Sequence, residues 1–550
     1  MLQPNRNMAI PELTKLVAQA AFPNGSLFIT LRDELGPVFE DEAFAAFYPS
    51  LGQPAESPGR LAMVTVMQFA ENLTDRQAAD AVRGRIDWKY ALGLELSDPG
   101  FHYSVLSEFR QRLVSQGAER TLLEAVLDCC TAKGLLGGKV KQRTDSTHVL
   151  AAIRSLTLLE LVGETMRRVL DAIAQVDPDW LQGRLQPEWI KRYGRRFDSY
   201  RLPKSPEERE ALAETIGRDG YGLLEAIYEG SAPSAVRELA IVDIMRRIWV
   251  QQFYRSEGKA HWRTKKQWGQ PPAGLMIASA EDLEAKYCIK RSTEWTGYKV
   301  HLTETCAIEH PRLITQVETT AATVHDVKVT EVIQDDLASR GLKPEVHLVD
   351  MGYVETDLLV NSQNKGIDLA GPVPSSKSWQ DREDEALEHT QFHIDWEQRI
   401  ATCPSGKTSE HCSDRKTWRG TPSLIFSFRF EDCQICPLRQ RCTKAKNVGR
   451  TLTVFPKEQY EALLLARHRQ QTEDFKSLYS ARAGIEGTIS QSVRSMDLRH
   501  ARYIGLARTH LQHIATAAAI NVTRIVDWLN GKRPADTRIT PFLALAARAA

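Results

Sequence analysis

Nowhere in the 550 residues does an apolar run approach the ~20 that a membrane-spanning helix requires, so no membrane partner is expected. The opening segment MLQPNRNMAIPELTK lacks the apolar stretch of a secretory signal, which leads to the expectation of a cytoplasmic protein. Net charge is also missing: 71 Lys and Arg face 70 Asp and Glu. That balance excludes an overall basic field, so a polyanionic partner would have to be met by local patches. Nine cysteines, few and odd in number for this length, argue against a disulfide framework and for reduced thiols or metal ligands. No internal repeat and no long low-complexity run is present.

What is present is a chain 42% hydrophobic, long enough for several cores and two to four domains. Charge is unevenly spread: from Arg441 to the end there are 18 Lys and Arg against 8 Asp and Glu. The first 135 residues read as short helices separated by polar turns, with start signals at Ser57-Pro58 and Thr74-Asp75, and are expected to form a helical N-terminal DNA-binding domain of their own. Within them FHYSVLSEFRQRL puts Tyr103, Leu106, Phe109 and Leu113 on one face and leaves Arg110 and Arg112 as candidates to touch DNA, or to be a solvated charged face. A strand is expected at 136–154 around QRTDSTHV, a helical insertion at 155–288, and further strands at GYKVHLTETC, RLITQVETT and EVHLVDMGY within 289–375. A helix at about 325–339 precedes the last of these. The expectation is a multidomain α/β fold whose sheet has parallel and antiparallel parts. A cysteine-bearing insertion follows at 376–470, C-terminal helices at 471–530 and a tail at 531–550.

Three carboxylates stand out. Asp145 lies inside a strand, where Asp is disfavoured. Asp350 follows the apolar run VHLV at a strand tip, where open α/β sheets bind ligands. Glu486 sits on a helix whose Ile485, Ile489, Val493 and Met496 would be buried, beside a polar line of Tyr479, Arg482, Glu486, Ser490 and Arg494. Each also has a plain structural explanation: a strand-end or capping Asp, a turn Asp, and an Arg482–Glu486 surface pair. Taken together, an acid on a first strand, one at a later strand tip and one on a C-terminal helix match the needs of two-metal phosphoryl transfer. Such chemistry clusters hard oxygen ligands about two magnesium ions.

The set Asp145, Asp350 and Glu486 resembles the catalytic triad of DDE transposases on a ribonuclease H-like core. The spacing from Tyr479 to Arg482 to Glu486 resembles the Tyr-Arg-Glu signature of the insertion-sequence-four group of bacterial transposases. The phrases TDSTHV, LVDMGYV, TVHDVKV, LTDRQAADAVRGRIDWKYALGL and SVLSEFRQRL resemble the eleven-eighty-two family of that group, over about residues 40–530. One position departs: the group's Lys seven residues after Glu is Val493 here, and the base falls at Arg494. The resemblance implies metal-dependent strand cleavage and transfer with Mg2+ or Mn2+, two ions per site, held by Asp145, Asp350 and Glu486. It implies phosphate contacts from Tyr479, Arg482 and Arg494, double-stranded DNA (terminal inverted repeats and target) as partner, a homodimer on paired ends, and a nucleoid-associated bacterial location. A nuclease that cuts without joining and a silent DNA-binding relative are the alternatives.

Two segments remain. Cys403, Cys433, Cys436 and Cys442 form a four-thiol set suited to structural Zn2+, or to a small reduced core, with an iron–sulfur cluster a third reading; Cys412 and His411 could replace Cys403. Residues 246–272 interleave seven bases with aromatics. Arg246, Arg247, Trp262, Lys265 and Lys266 are candidates for DNA binding there, the alternative being an amphipathic helix with its aromatics turned inward.

Overall fold

The computed structural model describes the chain apart from residues 3, 5–7, 50, 138–140, 231, 264–268, 375–378, 381–382, 384, 417–419, 534–544 and 546–550. Lys265 and Lys266 therefore lie outside the described residues, as does most of the tail. Helices begin where the sequence signals them: Thr74 and Gln77 close a capping box on Asp75–Gly84, and Thr157 with Glu160 does the same for Leu158–Val176.

Six strands form the central sheet: β1 (Gln142–Leu150), β2 (Lys286–Lys290), β3 (Thr293–Thr305), β4 (Ile314–Ala321), β5 (Val346–Leu348) and β6 (Asp368–Ala370). Their order is β2-β3-β1-β5-β6, with β4 also paired to β3. β3 runs antiparallel to β1, β2 and β4, whereas β5 is parallel to β1 and β6 parallel to β5. The helix Thr330–Ser339 makes the expected connection between β4 and β5.

The first 135 residues do not form a separate lobe. Phe28, Leu61, Val66, Trp88 and Leu106 from the N-terminal helices share one hydrophobic core with Val300 and Val317 of the sheet and with Ile514 and Ile520 of the long helix Leu506–Leu529. Arg502 adds a polar stitch, donating to the Leu73 carbonyl at 2.8 Å. The boundary expected at 135 is thus a change of secondary structure and not a break between cores.

The insertion has its own core, in which helices Leu158–Val176, Pro206–Tyr228 and Ala240–Gln252 surround Met166, Ile216, Trp249 and Phe253. Gly220 makes this packing possible, since a Cβ there would lie 2.2 Å from the Trp249 ring, whose Nε1 donates to the Gly217 carbonyl at 3.0 Å. The insertion is not helical throughout. Phe253–Ser256 and Lys259–Trp262 pair as a hairpin, and β2 occupies the last residues before 290. Glu257 and Gly258 carry the turn at φ 50° and 73°, two positive values in succession that match the twist of paired strands.

Candidate active-site cleft

The site is built where β1 meets the helix Gly484–Met496, and a fully buried acid holds the two together. Glu304 on β3, opposite Arg143 in the β1–β3 register, is 0% exposed. Its Oε1 accepts from Arg143 Nε at 2.8 Å and Nη2 at 2.6 Å; its Oε2 accepts from Thr488 Oγ1 at 2.6 Å and Arg524 Nη1 at 2.7 Å. Arg143 also donates to the Ala481 carbonyl, at the turn that starts the helix. Gly484 leaves room for this guanidinium, because a Cβ there would lie 2.1 Å from Arg143 Nη1. Two cations and a hydroxyl satisfy both oxygens of Glu304, the condition under which a buried charge is tolerated.

The clamp members lie two residues or fewer from the candidate catalytic groups. Arg143 precedes Asp145 by two, Ala481 precedes Arg482 by one, and Thr488 follows Glu486 by two. Across the interface so aligned, Arg482 reaches two acids: Nη2 donates to Asp145 Oδ2 at 2.7 Å and Nη1 to Glu486 Oε1 at 3.0 Å. The three differ in solvent contact, with Arg482 and Asp145 side chains 15% and 16% exposed and Glu486 66%. Arg482 Nε is buried without a partner. Asp145 Oδ1 accepts from the Ser146 amide at 2.8 Å. Burial pushes the Asp145 carboxyl above the usual range; Arg482 and the Ser146 N–H oppose this, and the charge of Asp350 adds to it.

Asp350 is at the strand tip as expected, and it is also a turn residue, accepting from the Gly352 amide at 2.8 Å. The parallel pairing of β1 and β5 ends at Arg143 and Leu348, and Asp350 lies two residues past the end of β5, where its charge is felt by Asp145. The turn is fixed from beneath: buried Tyr353 hydrogen-bonds His301 Nδ1 through its hydroxyl at 2.6 Å, and its carbonyl accepts from Thr330 Oγ1 at 2.8 Å.

An open cleft of about 430 Å³ runs along this surface, lined by Asp145, Thr147, Glu486, Ser490, Arg494 and Arg499 among others. The helix presents its sides as its apolar period leads one to expect: Ile485, Ile489 and Met496 are buried, Val493 half-buried, Glu486 and Arg494 exposed. Arg499, which donates to Thr147 Oγ1 at 2.9 Å, carries no signal in the sequence. The Glu304 clamp does carry one, a charged residue inside each of two strands, Arg143 and Glu304, although nothing local pairs them. Tyr479 stacks on Phe475 with centroids 5.6 Å apart, and its hydroxyl is pushed up by burial and by the nearby acids Asp350, Asp145 and Glu486, against Arg482.

The donor chemistry of Asp145, Asp350 and Glu486 fits a hard divalent cation, and the guanidinium between two of them marks a place made for positive charge. As the side chains stand, no three His, Cys, Asp or Glu among the described residues come together closely enough to hold an ion.

Other expected contacts are placed elsewhere. Arg110 is 5% exposed, paired with Asp75 and lying over the Tyr503 ring, so it serves packing and does not face DNA. Arg112 lies over Tyr48 and donates to the Phe47 carbonyl. In the basic insertion Arg246 pairs with Asp243 at 2.6 Å and Arg247 is exposed. Trp249 and Phe253 are buried in the insertion core and Trp262 packs against it with Nε1 buried, so these three aromatics turn inward. Cys403, Cys433, Cys436 and Cys442 line one cavity of about 340 Å³, from which Cys412 is absent. Burial pushes the Cys442 thiol up to about 11, with Arg450 opposing and the other three thiols adding to the rise.

Comparison with protein families gives two matches. Residues 18–112 match the model described as "Transposase domain (DUF772)", and residues 402–526 match "Transposase DDE domain". The first covers the N-terminal helices; the second runs from the cysteine module through Glu486 into the long C-terminal helix. Asp145 and Asp350 lie outside both. No curated protein and no solved structure matches the chain. The two regions are similar to transposase domains, and a transposase DDE domain implies DNA transposition with divalent metal. The mixed sheet is consistent with a ribonuclease H-like core. Among the described residues no helix is long and apolar enough to cross a membrane.

Proposed function

We propose that this chain binds the ends of a bacterial insertion sequence of the insertion-sequence-four group, eleven-eighty-two family, and cuts and joins DNA with Asp145, Asp350 and Glu486 as its catalytic acids. The observation that carries this reading is the meeting of Asp145 and Glu486 on Arg482, with Asp350 near enough past the tip of β5 for its charge to act on Asp145.

Asp145, Asp350 and Glu486 would hold magnesium or manganese. Bound there, the ions supply charge that acidifies the attacking oxygen and stabilises the leaving one. The chain's residues do the rest. Arg494 and Arg499 along the cleft take phosphate oxygens and align the backbone, contacts that carry no sequence information. Asp145, already largely withdrawn from water, keeps bulk solvent from the phosphorus. Glu486, open to solvent, accepts the proton of the attacking water at a carboxylate oxygen. The water oxygen bonds to phosphorus as the bond to the 3′ oxygen breaks and that oxygen takes a proton from solvent; in joining, the freed 3′-hydroxyl gives up its proton and bonds to a target phosphorus as the target's own 3′ oxygen leaves. Arg482 and Tyr479 then face the phosphates beside the cut. Two copies on paired ends complete the proposal.

The four cysteines are assigned a structural zinc, with Cys403, Cys433, Cys436 and Cys442 rotating inward around their shared cavity. One zinc per chain by elemental analysis, lost in Cys442→Ser, is the expected result; a zinc-free, equally stable chain overturns it.

The principal test is cleavage and joining of a labelled element-end duplex in Mg2+ or Mn2+ by the wild type, Asp145→Asn, Asp350→Asn and Glu486→Gln. Wild-type cutting and joining, with binding but neither reaction in the variants, supports the proposal. Cutting without joining reduces the protein to a nuclease, and binding without any metal-dependent reaction removes the catalytic assignment.

A further inference from the structure

The segment WIKRYGRRFDSYRLPK, residues 189–204, lies in the helical insertion and belongs to no feature discussed so far. Lys191, Arg195, Arg196, Arg201 and Lys204 are all exposed, and none has a carboxylate partner among the described residues. The two other basic groups nearest them are neutralised: Arg192 pairs with Asp219, and Arg154 with Asp198 at 2.7 Å. Unpaired cations crowded on one segment repel each other, and an ordinary surface would let such a segment move.

This one is pinned. Tyr193, Phe197 and Leu202 are buried at intervals of four and five residues, so the residues between them are turned outward. Phe197 presses on the helix Leu158–Val176 where Gly163 leaves space, a Cβ there falling 2.4 Å from the ring. Its amide donates to Glu164 Oε1 at 2.7 Å, and the Tyr193 and Phe197 rings stack 6.0 Å apart. Tyr193 hydroxyl donates to Asp219 Oδ2 at 2.7 Å. Tyr200, 76% exposed, holds the Arg201 guanidinium over its ring at 5.2 Å. The result is a rigid platform presenting five cations, and rigidity lowers the entropic cost of binding.

Its place in the chain gives the partner. The cleft's Arg499 lies on a segment stitched to the end of β1, with Leu150 N–H donating to the Arg499 carbonyl at 2.7 Å and Ala501 N–H to the Leu150 carbonyl at 2.8 Å. After β1 the chain passes through residues 151–157 and enters the helix Leu158–Val176, on which the platform rests. From Asp145 to Leu150 is five residues, ~17 Å along the strand, or about five base steps of duplex DNA.

We infer that residues 191–204 form a second DNA-backbone site, which takes the phosphates of the same duplex beyond the cleft. This rests on the transposase reading. It adds a contact that a duplex must be long enough to reach.

The experiment measures binding of the full chain to duplexes of about 15 and about 40 base pairs over about 50 to 200 mM salt. Each lost phosphate contact flattens the salt dependence by about one unit, so Arg195→Ala/Arg196→Ala/Arg201→Ala/Lys204→Ala is expected to flatten it by about four on the long duplex. On the short duplex its binding should equal the wild type's. The pairs Arg195→Ala/Arg196→Ala and Arg201→Ala/Lys204→Ala, each giving about half the effect, guard against misfolding of the quadruple variant. A wild-type salt dependence in folded variants on the long duplex overturns the inference, and so does an RNA duplex bound more than about tenfold tighter than DNA at the platform. A wild type that binds neither duplex overturns the transposase reading and this site with it. A wild type that binds both equally, with variants unchanged, overturns this site alone.

Discussion

Glu304 and Glu486 both answer to arginine, and Thr488, which donates to the first, lies two residues from the second, yet their settings are opposite. Glu304 is 0% exposed and has both oxygens committed to Arg143, Arg524 and Thr488. Glu486 is 66% exposed and shares a single guanidinium with Asp145. A charge fully enclosed and fully paired is held in place; a charge left open to water is available to exchange its partner. On the proposed reading, architecture and chemistry are thus divided between two residues of one type.

The largest effect that sharpens this contrast is on reaction rate. Glu486→Gln is expected to reduce strand cleavage by about three orders of magnitude, the several kcal/mol that charge at the reacting phosphate supplies. Next is stability. Glu304→Ala leaves buried Arg143 and half-buried Arg524 without their counter-charge and should cost about 3–5 kcal/mol in denaturant unfolding, whereas Glu486→Ala should cost less than ~1 kcal/mol because Glu486 itself is exposed. Equal costs for the two would break the comparison.

A smaller effect is expected at Gly484. Gly484→Ala places a methyl against the Arg143 guanidinium and should destabilise by about 1–3 kcal/mol, with a matching fall in cleavage as the helix carrying Glu486 moves from β1. The smallest concerns Asp145. Burial raises its folded pKa above the unfolded value, so ionising it weakens the fold as pH rises through that folded pKa. Asp145→Asn should then melt slightly higher than the wild type at neutral pH. The gain should vanish below the ordinary carboxylate range, where Asp145 is protonated in both states. A gain that persists in acid would mean that packing, not charge, is responsible.

Much of this is legible in the amino-acid sequence. Ile485, Ile489 and Met496 repeat at helical spacing, so the buried side of the Glu486 helix follows from period alone. Asp145 is conspicuous because strands disfavour Asp, and β1, β3, β4 and β5 are marked by their apolar and β-branched runs. Partners are another matter. Periodicity says that a face is buried but not against what, which is why the N-terminal helices read as a separate lobe. Arg110 looks like a surface base because its acid, Asp75, lies 35 residues away in sequence. Glu304 finds Arg143 across 161 residues and Arg524 across 220. The hairpin at 253–262 is hidden because Glu257-Gly258 is a weak turn signal beside the usual Asn-Gly or Asp-Gly. The platform at 189–204 is inconspicuous because its anchors, Tyr193, Phe197 and Leu202, follow neither a helical nor a strand period.

The core shared by the first helices and the helix Leu506–Leu529 bears on how the protein is made. During synthesis the N-terminal helices emerge with their apolar faces bare, and the element that covers them follows only after several hundred further residues. Contacts that span nearly the whole chain close late and slowly. A nascent chain must therefore be shielded until the helix Leu506–Leu529 docks, and a product cut short before Leu506 would be a client for proteolysis and not a stable DNA-binding fragment.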